Sequence, residues 1–244
     1  MKTRFTIPAL ACIVLLAMSG CIGNQGNVTT SYGTGTILNI NNTPCVQLDD
    51  INLRITGEGI PALTDSMARA LVYYTIDWDK QSSNADATNI YEATFSSIAT
   101  WRIDRLAPLP DDYVFAYTDT IRAMAKPFVS YKTTDSDKNR ITPNLLSVEL
   151  RLYAANGTVT LMQKNQPADP YYTGMTNDTL IVSYVTNDIT TETRDRWYTF
   201  ELPDYPSNIR NITLLFKSAA TVGFTPVPNR DFGGNAYTLT TSFK

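Results

Sequence analysis

Carboxylates beside tryptophans are the first residues here whose types and spacing could do chemistry. Asp77 and Asp79 flank Trp78, and Asp104 follows Trp101. Two carboxylates near an aromatic ring are the equipment of glycoside hydrolysis, one as general acid and the other as base or nucleophile. The competing reading is structural. Residues two apart on a strand share a face, and acids leaving a strand mark a solvated end more often than a catalytic pair. The expectation is therefore a protein without catalytic residues.

The remaining census points the same way. The chain of 244 residues contains no histidine, which removes Ser-His-Asp and Cys-His nucleophile systems and the commonest zinc ligand. Neither G-x-G-x-x-G nor G-x-x-x-x-G-K-[ST] occurs, so the two common phosphate cradles are missing. Asp135, Asp137 and Asn139 have the alternating spacing of a calcium loop. Arg140 stands where an EF-hand needs glycine, however, and Leu146 where it needs glutamate. A polar turn is the better reading. No metal and no cofactor are expected. Candidate ligand contacts are Tyr171 and Tyr172 in PADPYYTG, and Trp197 in RWYTFEL, whose flat rings could meet sugars. Alternation along RWYTFEL puts Trp197 on one face and Tyr198, Phe200 and Leu202 on the other. Core packing is the expectation for Trp78 and Trp101.

The start of the chain decides compartment. Lys2 and Arg4 precede Ile7–Met18, an apolar run without charge. It is short of the roughly 20 residues of a membrane-spanning helix and suits a secretory signal peptide. Ser19, Gly20 and Cys21 follow, which resembles a bacterial lipobox, with Met18 where Leu is usual. The alternative is an ordinary signal peptide with a cysteine nearby. In the lipobox reading residues 1–20 are removed, Cys21 is acylated, and residues 21–32 tether the protein to its membrane through the lipid anchor. Ile22 is not the Asp of inner-membrane retention, and IGNQGN carries no acidic run. The expected site is the outer membrane, facing the periplasm, with surface exposure as the alternative. Cys12 leaves with the leader, so Cys45 is the one remaining thiol, either a small buried hydrophobe or half of an intermolecular disulfide. The net charge of −3, more negative once Lys2 and Arg4 are gone, comes with no basic cluster, and nucleic acid is excluded as a partner.

The elements that must position these residues are strands. Segments such as INLRI, ARALVYYTIDW, IYEATFSSIATWRIDRL, LLSVELRLYAA, DTLIVSYV and NIRNITLLFKS alternate with period two, and none carries a sustained helical stripe. In INLRI, Ile51, Leu53 and Ile55 are expected on one side. Ile212, Leu214 and Phe216 should face a core, as should Val148, Leu150 and Leu152. Asn156-Gly157 predicts a two-residue hairpin turn. TIRAMAKPFVSY predicts a short helical turn stopped near Pro127. The prolines of APLPDD suggest a boundary between a small β unit and a larger β-sandwich.

This layout resembles the NigD-like lipoproteins of Bacteroides-type bacteria. The resemblance rests on the lipobox SGC, the tether, the early GTGTILNI strand, ARALVYYTID ahead of a polar loop, and ITLLFKS near the C-terminus. It implies an all-β fold with an N-terminal OB-like barrel over residues 33–107 and a C-terminal immunoglobulin-like β-sandwich over 108–244. No catalytic motif comes with it, so no residue inherits a role. DSM, DTI and DTL also match the D-[ST]-aliphatic pattern of periplasmic O-glycosylation in such bacteria, making Ser66, Thr120 and Thr179 candidate acceptors. The leading functional expectation is non-catalytic binding of an envelope partner, protein or glycan. The alternatives are a fimbrial or surface-assembly subunit, with NAYTLTTSFK as the exchanged strand, and a carbohydrate-binding protein.

Overall fold

A computed structural model of the chain describes residues 27–49, 51, 53–64, 66–113, 120–132, 142–153, 157–163, 176–186, 192–203, 209–230 and 233–242. Most of it is strand. The first sheet contains β1 (Val28–Ile40), β2 (Thr43–Leu48), β3 (Arg54–Thr56), β4 (Arg69–Asp77), β5 (Ile90–Glu92) and β6 (Thr94–Trp101), in the order β5-β3-β2-β1-β4-β6. Alternation in β4 sends Ala70, Val72, Tyr74 and Ile76 into a core with Ile37, Val46, Leu48 and Ile55. Ile51 is exposed rather than beside Ile55, because the strand in INLRI begins only at Arg54. The polar loop after β4 holds a 3-10 turn at Trp78–Lys80 and a one-turn helix α1 (Ala85–Thr88), closed by Asn89 in the left-handed conformation.

Two glycines let this sheet fold over its own core. β1 pairs with β4 over Val28–Thr36 and with β2 from Gly35 onward. A Cβ on Gly35 would lie 2.4 Å from the Gln47 carbonyl oxygen, so a larger residue cannot sit where β1 changes partner. Ala93 alone separates β5 from β6, and its N–H donates to the Thr56 carbonyl at 2.8 Å. The chain over 90–101 thus starts parallel to β3 and continues antiparallel to β4. Gly57 permits that crossing, since its Cβ would stand 2.1 Å from the Ala93 oxygen. The barrel expected over 33–107 is not a closed one. Pairing between β3 and β5 stops at Glu92, no ladder joins β6 to β3, and the sheet ends at β5 and β6.

The chain continues through β7 (Ile103–Arg105), β8 (Ala107–Pro108), β9 (Thr120–Ile121), β10 (Ala123–Ala125), β11 (Phe128–Lys132), β12 (Thr142–Leu152) and β13 (Thr158–Gln163). After them come β14 (Thr176–Val185), β15 (Arg194–Glu201), β16 (Ile209–Ser218), β17 (Thr221–Val222), β18 (Val227–Asn229) and β19 (Gly234–Ser242). They form two further sheets, β17-β10-β12-β15-β7 with β11 also on β12, and β18-β19-β16-β14-β13-β8 with β9 also on β16. Val148, Leu150, Leu152 and Phe200 from the first meet Val159, Leu161, Leu180, Val182, Tyr184, Ile212, Leu214 and Phe216 from the second. The segment after β8 lies over the outer side of the second sheet, where Leu109 and Tyr113 pack on Met162, Ile181 and Leu215.

Three local expectations are corrected. β12 and β13 do not form a hairpin, because they belong to different sheets; Asn156 lies outside the described residues, and Gly157 leaves room for the Tyr184 ring, 2.0 Å from where its Cβ would be. The stretch around Ile121 and Met124 is strand rather than helix, since β10 and β9 find parallel partners in β17 and β16. The sandwich sheets are mixed, whereas immunoglobulin sheets are antiparallel. β14 and β16 run parallel from Thr176↔Arg210 to Ile181↔Leu215, because the intervening β15 crosses to the other sheet.

Candidate functional site

Arg69 opens β4 on the side opposite Ala70, so strand alternation alone would leave it in water. It is instead 0% exposed, which an arginine rarely is unless paired. Its Nη1 donates to Thr36 Oγ1 and to Asp49 Oδ1, both at 2.8 Å, and Nη2 donates to Asp49 Oδ2. Asp49 also accepts from the Thr34 hydroxyl at 2.7 Å. This fork-on-carboxylate geometry is the strong form of a charged hydrogen bond. Arg69 Nε has no partner among the described residues.

What buries the guanidinium is the outer face of the sandwich. Val148 and Phe200 point into the sandwich core, so Ser147, Trp197 and Thr199 point out. Arg69 Nη2 lies 3.5 Å from Ser147 Oγ, whose hydroxyl is 2.8 Å from Thr199 Oγ1, and the Trp101 indole N–H donates to Thr199 Oγ1 at 2.9 Å. Trp101 closes the joint. Arg69 Cζ stands 6.0 Å over its ring, the ring stacks on Trp197 at 5.8 Å, and Phe128 meets Trp197 edge-on at 6.0 Å. The two β units are thereby held as one piece by hydrogen bonds and aromatic packing.

Beside this joint opens a cleft of about 500 Å³ walled by β6, β7, β15 and the start of β13. Its charges come in pairs. Arg102 Nε meets Asp104 Oδ1 at 2.5 Å, and Arg151 grips Asp195 through two bonds of 2.7 Å. Arg196 hydrogen-bonds the Tyr198 hydroxyl. Burial pushes the Asp104 carboxyl above its ordinary value against the pull of Arg102, and burial together with Asp195 does the same to Glu149. The Arg151 hydrogen bond holds Asp195 below its ordinary value. A larger cleft of about 970 Å³ lies at the other end of the first sheet, with Glu58, Glu92 and an exposed Asp77–Lys80 pair of 2.7 Å around it.

The structure separates the carboxylates that sequence suggested as a pair. Asp77 ends β4 opposite Val28, whereas Trp101 pairs with Arg69 at the strand's beginning. Nine residues of β4 at about 3.3 Å each put about 26 Å between those ends. Asp77 lines the larger cleft and Asp104 the smaller. Asp77 and Asp79 serve the turn after β4, accepting from the Asp79 and Asn27 N–H groups. Trp78 packs edge-on against Tyr91.

Trp197 is half-buried in the joint. Cys21, Tyr171, Tyr172 and the Asp135–Arg140 segment lie outside the described residues. Ser66 is exposed in the turn bridged by Thr64 and Met67, while Thr120 and Thr179 are half-buried on β9 and β14. Cys45 is 0% exposed, opposite Leu38. NAYTLTTSFK supplies β19, which is paired with β16 from Asn235 to Ser242. Among the described residues no group of three or more Cys, Asp or Glu could hold a metal, and no helix is long and apolar enough to cross a membrane. Sequence reasoning missed Arg69 and Asp49, because an arginine at the head of an alternating strand carries no mark of burial.

The described residues define an all-β protein of two β units with a buried polar joint. Neither a family model nor a curated protein matches the chain. Solved structures do. A candidate lipoprotein of Bacteroides fragilis matches with a TM-score of 0.51 and 10% identity, over 88% of this chain and 98% of that one. A protein of unknown function from Bacteroides vulgatus matches with a TM-score of 0.54 and 16% identity, over 88% and 92%. A NigD-like immunity protein from Bacteroides caccae is also among the neighbours, with a TM-score of 0.48 and 11% identity, over 90% and 94%. At such identities the first two show a shared fold.

Proposed function

We propose that this chain is a lipid-anchored envelope protein that acts by binding a partner, without catalysis. The observation that carries the reading is the joint. A fully buried Arg69 locks two β units together, and the cleft they share contains Asp104 but not Asp77. A rigid cleft whose two carboxylates, Asp104 and Asp195, are each tied up in an arginine ion pair suits recognition better than turnover. The leader ending at Cys21 and the fold shared with a candidate lipoprotein support the anchor. In this reading the anchor sits in the outer membrane. We read the first sheet as a partly open OB-like barrel, supported by the parallel β3–β5 pair and the continuation through Ala93 onto β4.

Affinity purification of the acylated protein from its own detergent-solubilised membrane, with mass spectrometry of what accompanies it, tests the reading. A companion at constant stoichiometry is expected, and Cys21→Ser should move the protein from the membrane to the soluble fraction. Turnover of a polysaccharide that disappears in Asp104→Asn would replace binding by catalysis. Unchanged membrane retention of Cys21→Ser would remove the anchor.

A further inference from the structure

We propose that the cleft beside the joint is a binding site for a neutral oligosaccharide, held by ion-paired Arg and Asp side chains. The inference rests on the reading of this protein as a binder and names its ligand class. Charge decides first. Arg102 in the lining is paired with Asp104, Asp195 is paired with Arg151, and Arg196 hydrogen-bonds the Tyr198 hydroxyl. Both carboxylates and the Arg102 guanidinium therefore meet a ligand with their charge already compensated. A polyol needs no net charge. A guanidinium in an ion pair keeps further N–H donors, and its carboxylate keeps further lone pairs, so each pair offers donors and acceptors together to sugar hydroxyls.

The apolar part of the lining fits as well. Trp101, Trp197 and Tyr198 border the same cleft, and their ring edges give it apolar carbon beside the polar pairs. The cleft volume of about 500 Å³ lies within the usual range of small-molecule sites. Rigidity is built in, because Trp101 on one wall and Trp197 on the other are stacked together and tied through Thr199 to the Arg69 joint. A preformed wall loses little freedom when the ligand arrives. The larger cleft lacks this pattern, since Glu58, Asp77 and Glu92 outnumber Lys80 there.

The test is a titration of intrinsic tryptophan fluorescence. The full acylated chain, in a detergent without a sugar head group, is titrated with maltotetraose, cellotetraose and mannotetraose, with tetragalacturonate and tetralysine as charged controls. At least one neutral tetrasaccharide is expected to give a saturable shift, and the charged probes none. Arg102→Gln and Asp195→Asn should each weaken that binding by about tenfold or more, while Glu58→Gln in the larger cleft leaves it unchanged. Circular dichroism confirms that the variants are folded. No saturable response to any neutral probe, a preference for a charged one, or full affinity in Arg102→Gln and Asp195→Asn would each overturn the proposal. A protein companion found after membrane purification together with no saturable response to any neutral saccharide would keep the binding function while rejecting the saccharide.

Discussion

Burial and Arg102 pull the Asp104 carboxyl in opposite directions, and burial wins. A carboxyl whose folded pKa lies above its unfolded one holds its proton more tightly in the fold. It takes nothing from stability below the ordinary carboxylate value of about 4. A penalty then grows as the pH rises through the raised value, and persists at neutrality. Asp104→Asn should therefore unfold at higher urea than the parent at pH 7, with the gain shrinking towards zero as the pH falls to about 3. Lower stability of the variant at pH 7 would show that the Arg102 pair outweighs burial. The residues behind this prediction were partly legible in the sequence. Asp104 stood out by its neighbour Trp101, and Cys45 by its place in an apolar strand, where it is buried. Arg69 did not stand out, because its burial comes from Ser147, 78 positions away, and no local pattern reports a contact of that range.

At the scale of elements, alternation was a dependable guide wherever a strand had one apolar face. Ile212, Leu214 and Phe216 are all 0% exposed, as β16 predicted. Turn chemistry was a poor guide to pairing. Asn156-Gly157 favours a tight reversal, but the side to which β13 sends Val159 and Leu161 puts it in the opposite sheet from β12. Propensity failed at β9 and β10 for a similar reason, since two short segments with weak preferences take the conformation their parallel partners impose. Glycine positions were visible as letters but not as constraints. Gly57 now has a reason, the Ala93 carbonyl against which β5 turns into β6. Gly57→Ala should cost about 1–3 kcal/mol of unfolding free energy through overpacking against backbone. Gly33→Ala meets only Leu48 Cδ2 at 3.5 Å and should be near neutral or slightly stabilising. Equal urea midpoints for the two variants would remove the steric account of the first sheet's crossing.

The whole molecule depends on a buried ion pair placed where two β units meet. Such pairs contribute little net stability against an apolar replacement, yet breaking one leaves a charge stranded. Arg69→Met leaves the Asp49 carboxylate, whose side chain is 4% exposed, without its cation and should cost about 3–5 kcal/mol. That loss reaches the joint, because the same guanidinium that holds Thr36 and Asp49 also meets Ser147 of the sandwich. Calorimetry should therefore show one transition for the parent and two for Arg69→Met, as the first sheet and the sandwich unfold separately. Arg69→Met with Asp49→Leu removes both charges and should recover most of the lost stability. It should not restore one transition, since the Arg69 contact to Ser147 that spans the joint is still missing. Two transitions in the parent would mean that Arg69 never coupled the units. One transition in the single variant would assign the coupling to the Trp101–Trp197 stack instead, and Trp101→Ala would then be the change that separates them.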